Sequence, residues 1–99
     1  MNQVTLEGTI EGTKEIPMKD PNNTGARAFI KLDRDGGSGS DRFSVIAWGD
    51  AARALLSIGD GAQAALHGKL RRSSWTDRET QQRRYDTEVV AESIRPSDA

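Results

Sequence analysis

Three of the five aromatic residues share the polar side of an alternating sequence segment with basic residues. Phe29 has the parity of Lys31, Trp48 has the parity of Arg42, and Trp75 follows a basic run on the same side. Rings that belonged to a core would take the opposite side. A ring beside a cation can stack on an unpaired base while the cation meets a phosphate, and each stacked base is worth about 1–3 kcal/mol. The pattern predicts a surface that binds single-stranded nucleic acid.

The segment from His67 to Arg84 is basic, although the whole chain has a net charge of −1. It holds six basic and two acidic residues, whereas the stretch before it holds seven basic and nine acidic residues. A local basic stripe in a neutral chain can follow the backbone of a polyanion, and a solvated strand pair with scattered charges explains the same pattern. The six basic residues that we assign to nucleic-acid binding are Lys69, Arg71, Arg72, Arg78, Arg83 and Arg84.

Each aromatic residue also has an ordinary structural interpretation. Trp48 ends its segment beside a glycine and can pack under a helix. A shift of one residue in the register of its strand would place Phe29 in the core. Trp75 has almost no apolar neighbours in sequence, which favours exposure. Tyr85 shares parity with apolar residues and is expected in the core or an interface, and Phe43 is expected in the core.

The residue types that carry catalysis or bind metal ions are scarce. One histidine and no cysteine leave only scattered carboxylates as metal ligands. The glycine-rich segment 36–40 lacks the Gly-Lys-Ser/Thr ending of a phosphate loop, and no serine has the sequence context of a nucleophile. The sequence therefore predicts a protein that is not an enzyme and has no metal or other cofactor.

Length and composition indicate one small domain. The 99 residues are 34% hydrophobic and 29% charged, with no apolar run near the length of a membrane span. The absence of cysteine and of a signal-peptide pattern predicts a cytoplasmic protein with no membrane attachment. We expect a single domain over residues 1–95 and a short polar tail over 96–99.

The hydrophobic periodicity predicts three strands, one short helix and two further strands. The strands are expected at 2–13, 26–33, 42–48, 62–76 and 83–94, with glycines in the first strand allowing it to bend. Asp50 is the expected N-cap of the helix, which ends at Gly59. This element order predicts an all-β fold, a five-stranded OB-fold barrel with one short helix between strands 3 and 4, an architecture that commonly binds oligonucleotides.

Six segments, in their order and spacing from residue 2 to about residue 92, together resemble the bacterial single-stranded DNA-binding protein family. They are Asn2-x-Val4-x-Leu6-x-Gly8, Gly25-Ala26-x-Ala28-x-Ile30-x-Leu32, Val45-Ile46-Ala47-Trp48-Gly49, Gly68-Lys69-Leu70-Arg71, Trp75-Thr76-Asp77 and Arg84-Tyr85-Asp86-Thr87-Glu88-Val89-Val90. The resemblance implies an OB-fold protomer that binds single-stranded DNA without strong sequence preference, usually as a homotetramer. It also implies base-stacking positions at Trp48 and Trp75, with Phe29 and Lys31 on the same face.

The chain departs from this family at three points. Arg42 stands where the family typically has a stacking tryptophan, and the 33–40 connection lacks another tryptophan that is common there. The sequence ends at Ala99 without the long linker and acidic-hydrophobic tip that recruit replication enzymes in the family. We therefore expect a truncated or tail-less member.

The first hypothesis is sequence-tolerant binding and protection of single-stranded DNA in replication, recombination or repair. We expect a homo-oligomer, with a tetramer favoured over a dimer and contacts through the strand Thr5–Thr13 or near Tyr85. The alternative is an OB-fold module for protein interaction or a primosomal accessory role, with weak or no DNA binding. A preference for RNA is a third option within nucleic-acid binding.

Overall fold

The computed structural model describes residues 1–34 and 36–97. Its elements are β1 (Val4–Ile16), β2 (Gly25–Asp33), β3 (Ser40–Trp48), α1 (Gly49–Ile58), β4 (Gln63–Thr76) and β5 (Arg83–Pro96). The strands form a closed barrel in the order β1-β2-β3-β5-β4. This confirms the predicted five-stranded OB-fold barrel with one helix between strands 3 and 4.

Four of the five strand contacts are antiparallel, and one is parallel. β2 pairs with β1 and with β3, and β4 pairs with β1 and with β5, all antiparallel. β3 and β5 run parallel, with partners from Ser44–Glu88 to Ala47–Ala91. The long helix-containing connection between β3 and β4 allows β5 to return beside β3 and close the barrel.

The inward side of each strand supplies the core. Ile10, Ile30, Val45, Leu66 and Val89 are fully buried, which matches the predicted alternation on all five strands. Helix α1 adds apolar side chains to the same cluster. Burial of each large aliphatic side chain contributes about 1.5–3 kcal/mol, so this cluster stabilises the barrel that positions the outer residues.

Glycine is required where strands bend or approach closely. Gly12 has φ +63° at a bulge in β1, where Glu11 pairs with Phe29 and Lys14 with Arg27. A Cβ atom at Gly68 would collide with the carbonyl of Val90. The predicted bend in the first strand is therefore a β-bulge, which carries the strand on to Ile16, beyond the predicted end at residue 13.

The helix begins earlier than the sequence indicated. α1 starts at Gly49, its N-cap is Trp48, and the N-cap makes no side-chain hydrogen bond. The prediction of Asp50 as N-cap was wrong, because this carboxylate lies in the first turn and forms an ion pair with Arg53. A carboxylate in the first turn still stabilises the helix through the helix dipole.

Two other expectations need correction. Phe43, predicted in the core, lies near the end of the barrel and is 36% exposed. The last strand continues to Pro96, which pairs with Ala64, beyond the predicted strand end at residue 94. The predicted polar tail covers residues 96–99. Residues 98 and 99 of that tail lie outside the described residues. No helix in the described ranges is long and apolar enough to cross a membrane.

Candidate nucleic-acid interface

The outward sides of β2, β3, β5 and β4 form a continuous surface, which we call the outer sheet face. Across its middle, Phe29 pairs with Ser44, Ser44 with Glu88, and Glu88 with Arg71. In the next row, Ile46 is buried and gives the face an apolar centre. The three predicted stacking residues are placed here by strand alternation, and all are exposed: Phe29 by 41%, Trp48 by 43% and Trp75 by 51%.

Trp75 lies near the tip of the hairpin formed by β4 and β5, where it pairs with Arg84. The predicted orientation of Trp75 depended on an unbroken alternation along β4. The only irregularity in that strand pair falls on β5, since His67 pairs with Ser93 and the adjacent Gly68 pairs with Ala91. The side chain therefore keeps the outward parity that the sequence indicated.

Trp48 lies at the opposite end of the outer sheet face, where β3 meets α1. It pairs with Gly25, and its six-membered ring leaves no room for a Cβ atom at that glycine. This packing fixes one side of the indole, while its exposure leaves the remainder accessible. The observed packing is against β2, whereas the structural interpretation placed the ring under the helix. The stacking role of Trp48 stays a prediction.

Phe29 is exposed, and the guanidinium group of an arginine lies over its ring. The guanidinium carbon of Arg42 lies 4.7 Å from the ring centroid. Glu11 holds the same guanidinium, with 3.2 Å between Oε2 of the glutamate and Nε of the arginine. Arg42, which replaces an aromatic residue of the family pattern, therefore provides a planar, oriented surface next to the phenyl ring.

The predicted basic stripe divides between two sides of the β4–β5 hairpin. Alternation turns Lys69, Arg71 and Arg84 towards the outer sheet face and turns Arg72 and Arg83 to the other side. The cations of the basic segment therefore do not all share one side of the hairpin, because neighbouring residues in a strand point in opposite directions.

Several of these cations have partners within the protein. Arg71 donates hydrogen bonds to buried Glu88, with 2.9 Å between Nε and Oε1. Arg84 lies 3.5 Å from a carboxylate oxygen of Asp77, and Arg83 donates to the Ser74 hydroxyl at 3.1 Å. Salt bridges among the described residues involve three of the predicted binding cations and none of the other five, Lys31, Lys69, Arg72, Arg78 and Arg83.

Sequence reasoning assigned no binding role to Tyr85 or Phe43. Tyr85 was expected in the core or an interface, but it is 53% exposed in the chain, with the guanidinium of Arg72 3.8 Å from its ring centroid. It has inward parity in a part of the hairpin that extends beyond the barrel core. With Phe43 it lines a cleft of about 590 Å³, whose other lining residues are Phe29, Arg42, Ser44, Arg72, Asp86 and Thr87.

The closed five-stranded barrel with one helix between strands 3 and 4 is an OB-fold, an architecture that commonly binds oligonucleotides. The family model described as the single-strand binding protein family matches residues 1–97. The chain belongs to this family, a DNA-binding family without enzymatic activity, and membership supports binding of single-stranded DNA. A comparison with curated proteins gave no match.

Proposed function

We propose that the protein binds single-stranded DNA with little sequence preference by stacking bases on Trp75, Trp48 and Phe29. The observation that carries this proposal is the position of the three exposed rings on one continuous outer sheet face. Every base has a flat face, so stacking tolerates any sequence. The proposed process is protection of DNA during replication, recombination or repair.

The rings mark a path across the protein. Trp48 and Ser44, the residue paired with Phe29, are four positions apart on β3, which corresponds to about 13 Å along a strand. From there the path continues across β5 and β4 towards Trp75. A strand of DNA that follows these rings crosses the sheet instead of running along one β-strand.

The cations beside this path would contact phosphates. Lys31 and Lys69 lie on the same face as the rings, and Arg78 lies in the turn between β4 and β5. Arg71 is already bonded to Glu88, so we assign it mainly to holding the hairpin. Since the whole chain has a net charge of −1, we expect stacking to contribute more to affinity than bulk charge does.

The direct test is a titration with oligo-dT followed by intrinsic tryptophan fluorescence. Stacking on Trp48 and Trp75 should quench the emission, and the affinity should fall as salt rises because cations displace counterions from phosphates. Absence of quenching and of binding at low salt would reject the proposal. A parallel titration with oligo-U measures the preference for DNA over RNA.

We also propose that the protein forms a homo-oligomer, with a tetramer favoured over a dimer. An apolar pocket of about 230 Å³ at the end of the barrel supports self-association, because its lining includes Val4, Leu6, Phe43, Leu70 and Val89. Leu70 and Phe43 are exposed in the single chain. Exposed apolar surface of this kind usually marks a contact with another protein.

Light scattering across a concentration series measures the number of subunits. Leu70→Glu should shift the protein towards monomer, because it places a charge in the apolar pocket, whereas Lys69→Glu on the opposite side of β4 should not. An unchanged mass for Leu70→Glu would remove this pocket from the interface. A protein that forms stable complexes with a different partner and binds no DNA would favour the alternative role as an interaction module.

A further inference from the structure

β3 and β5 separate at one end of their parallel contact. The pairing begins at Ser44 and Glu88. Before these residues, β3 continues beside β2 and β5 continues beside β4, so the two strands follow different neighbours. The cleft of about 590 Å³ lies at this separation. It is therefore built into the barrel by the point at which two strands diverge.

Each wall of the cleft carries an aromatic ring with an arginine laid on it. Arg42 lies 4.7 Å from the centroid of Phe29, and Arg72 lies 3.8 Å from the centroid of Tyr85. Bases stack on guanidinium planes as well as on aromatic rings. The two pairs are already assembled in the protein without nucleic acid, so a base entering the cleft finds flat surfaces in place.

The polar residues between the walls include one carboxylate, that of Asp86. Its Oδ1 accepts the backbone N–H of Thr87 at 2.9 Å, which orients the group. An ionised carboxylate is an acceptor only, with further lone pairs on both oxygens. It repels phosphate and attracts N–H donors, so the group that fits against it is the edge of a base.

We propose that this cleft takes one nucleobase of a bound DNA strand and that Asp86 makes the site prefer guanine. This inference rests on the proposed function. Guanine presents two adjacent donors, N1–H and the 2-amino group, which match the two oxygens of a carboxylate. Adenine and cytosine place a ring acceptor beside their amino group, and thymine flanks its N3–H with two carbonyls.

The preference concerns one base only. Trp48 and Trp75 are not among the residues that line the cleft, and they have no carboxylate opposite them in the strand register. Stacking at these two positions accepts any base. A strand of mixed sequence therefore binds throughout, and a guanine within it sets the register in which it binds.

The test compares three oligonucleotides of about 9 nucleotides, a length within the range that one OB-fold covers. All are oligo-dT, with thymidine, deoxyguanosine or deoxyinosine at the centre. Deoxyinosine retains N1–H but lacks the 2-amino group. We expect the deoxyguanosine oligomer to bind about fivefold or more tightly than the other two, the lower end of discrimination by a bidentate pair. Equal affinity for deoxyguanosine and deoxyinosine overturns the proposal.

Variants separate this cleft from the rest of the surface. Asp86→Asn should abolish the difference between deoxyguanosine and deoxyinosine, because an amide offers only one oxygen acceptor to the two donors of guanine. Glu92→Gln makes the same charge change at the exposed bulge of β5 and should keep the preference. Tyr85→Phe should retain tight deoxyguanosine binding and Tyr85→Ala should lose it, with thermal melting used to confirm folding.

The titration with oligo-dT distinguishes failure of this proposal from failure of the proposed function. If oligo-dT binds and the guanine preference is absent, this proposal fails and the proposed function stands. If no oligonucleotide binds, both fail. If Tyr85→Ala changes the number of subunits but leaves the guanine preference intact, the cleft is a protein contact and the proposal is overturned.

Discussion

β4 crosses two regions of the molecule that use the same alternating pattern differently. Within the barrel, Ala64 and Leu66 point into the core and are buried. Beyond it, the segments 71–76 and 83–88 pair with each other as a two-stranded arm, and nearly all their residues are exposed on both sides. Alternation therefore predicts which residues lie on the same side of a strand. Whether that side is buried depends on whether other strands or the helix pack against it.

Because of this difference in burial, one part of the β4–β5 hairpin stabilises the fold and the other part is available for binding. The barrel part buries large aliphatic side chains, and the arm carries exposed rings and cations. Glu88 lies at the boundary, buried and bonded to Arg71. Substitutions in the barrel should therefore lower the free energy of unfolding, and substitutions in the arm should lower affinity for DNA. The effects below run from the largest expected to the smallest.

Leu66→Ala should produce the largest effect, a loss of about 2–5 kcal/mol in the free energy of unfolding, because it leaves a cavity in the core. Urea denaturation measures the loss. The fraction that remains folded should bind oligo-dT as the unchanged protein does. An unaltered denaturation midpoint would show that the barrel core does not carry the stability.

Trp75→Ala should weaken binding to oligo-dT by about 1–3 kcal/mol through the loss of one stacked base. Because the ring is exposed, the free energy of unfolding should change by less than about 0.5 kcal/mol. Fluorescence anisotropy with labelled oligo-dT measures the affinity. Trp75→Phe is the matched control and should retain most of it, and Phe29→Ala should cost less because Arg42 already covers its ring.

Arg71→Ala should reduce stability more than affinity. It leaves the buried carboxylate of Glu88 without its hydrogen bonds, at a cost of about 1–3 kcal/mol. Lys69→Ala, two residues earlier on the same face, should leave stability unchanged and lower the slope of log affinity against log salt by about 0.7, the value for one phosphate contact. The Arg71–Glu88 pair lies at the boundary between barrel and arm, so its loss is the exception to the rule that arm substitutions lower affinity. An unchanged free energy of unfolding for Arg71→Ala would contradict this assignment.

The smallest effect is expected at Asp41, next to the connection between β2 and β3. Arg34 donates a hydrogen bond to its carboxylate at 2.8 Å and holds the pKa of Asp41 below its usual value. The stability from this pair is present above about pH 4, the ordinary pKa of an unfolded aspartate, and is lost as the pH falls through the lowered folded value. NMR titration of the Asp41 carboxyl measures the shift, and Arg34→Gln should remove it.

The sequence predicted the elements and the exposed rings because both follow from local alternation. Phe29, Trp48 and Trp75 lie outside the core as their parity indicated. The core prediction for Phe43 and the core alternative for Tyr85 were wrong for a common reason, since both residues have inward parity at positions that the core of the single chain does not cover. Alternation carries no information on where a barrel ends.

Sequence patterns also could not predict which residues the cations contact. Arg71 and Glu88 meet because they are paired in the register of β4 with β5. The placement of Arg42 over Phe29 depends in the same way on the register of β2 with β3 and with β1, where Glu11 pairs with Phe29. The cleft between β3 and β5 appears only when two strands from distant parts of the chain are set side by side.

The closure of the barrel has a consequence for how the chain folds. Val4 in β1 pairs with Gly68 in β4, and Val45 in β3 pairs with Val89 in β5. Neither strand pairing can form until the later strand has been synthesised. Contacts between such distant residues slow folding, because the chain loses entropy before the contacts repay it. We expect the emerging chain to keep the apolar sides of β1–β3 unpaired with β4 and β5 during synthesis, and a fragment that lacks β5 to aggregate.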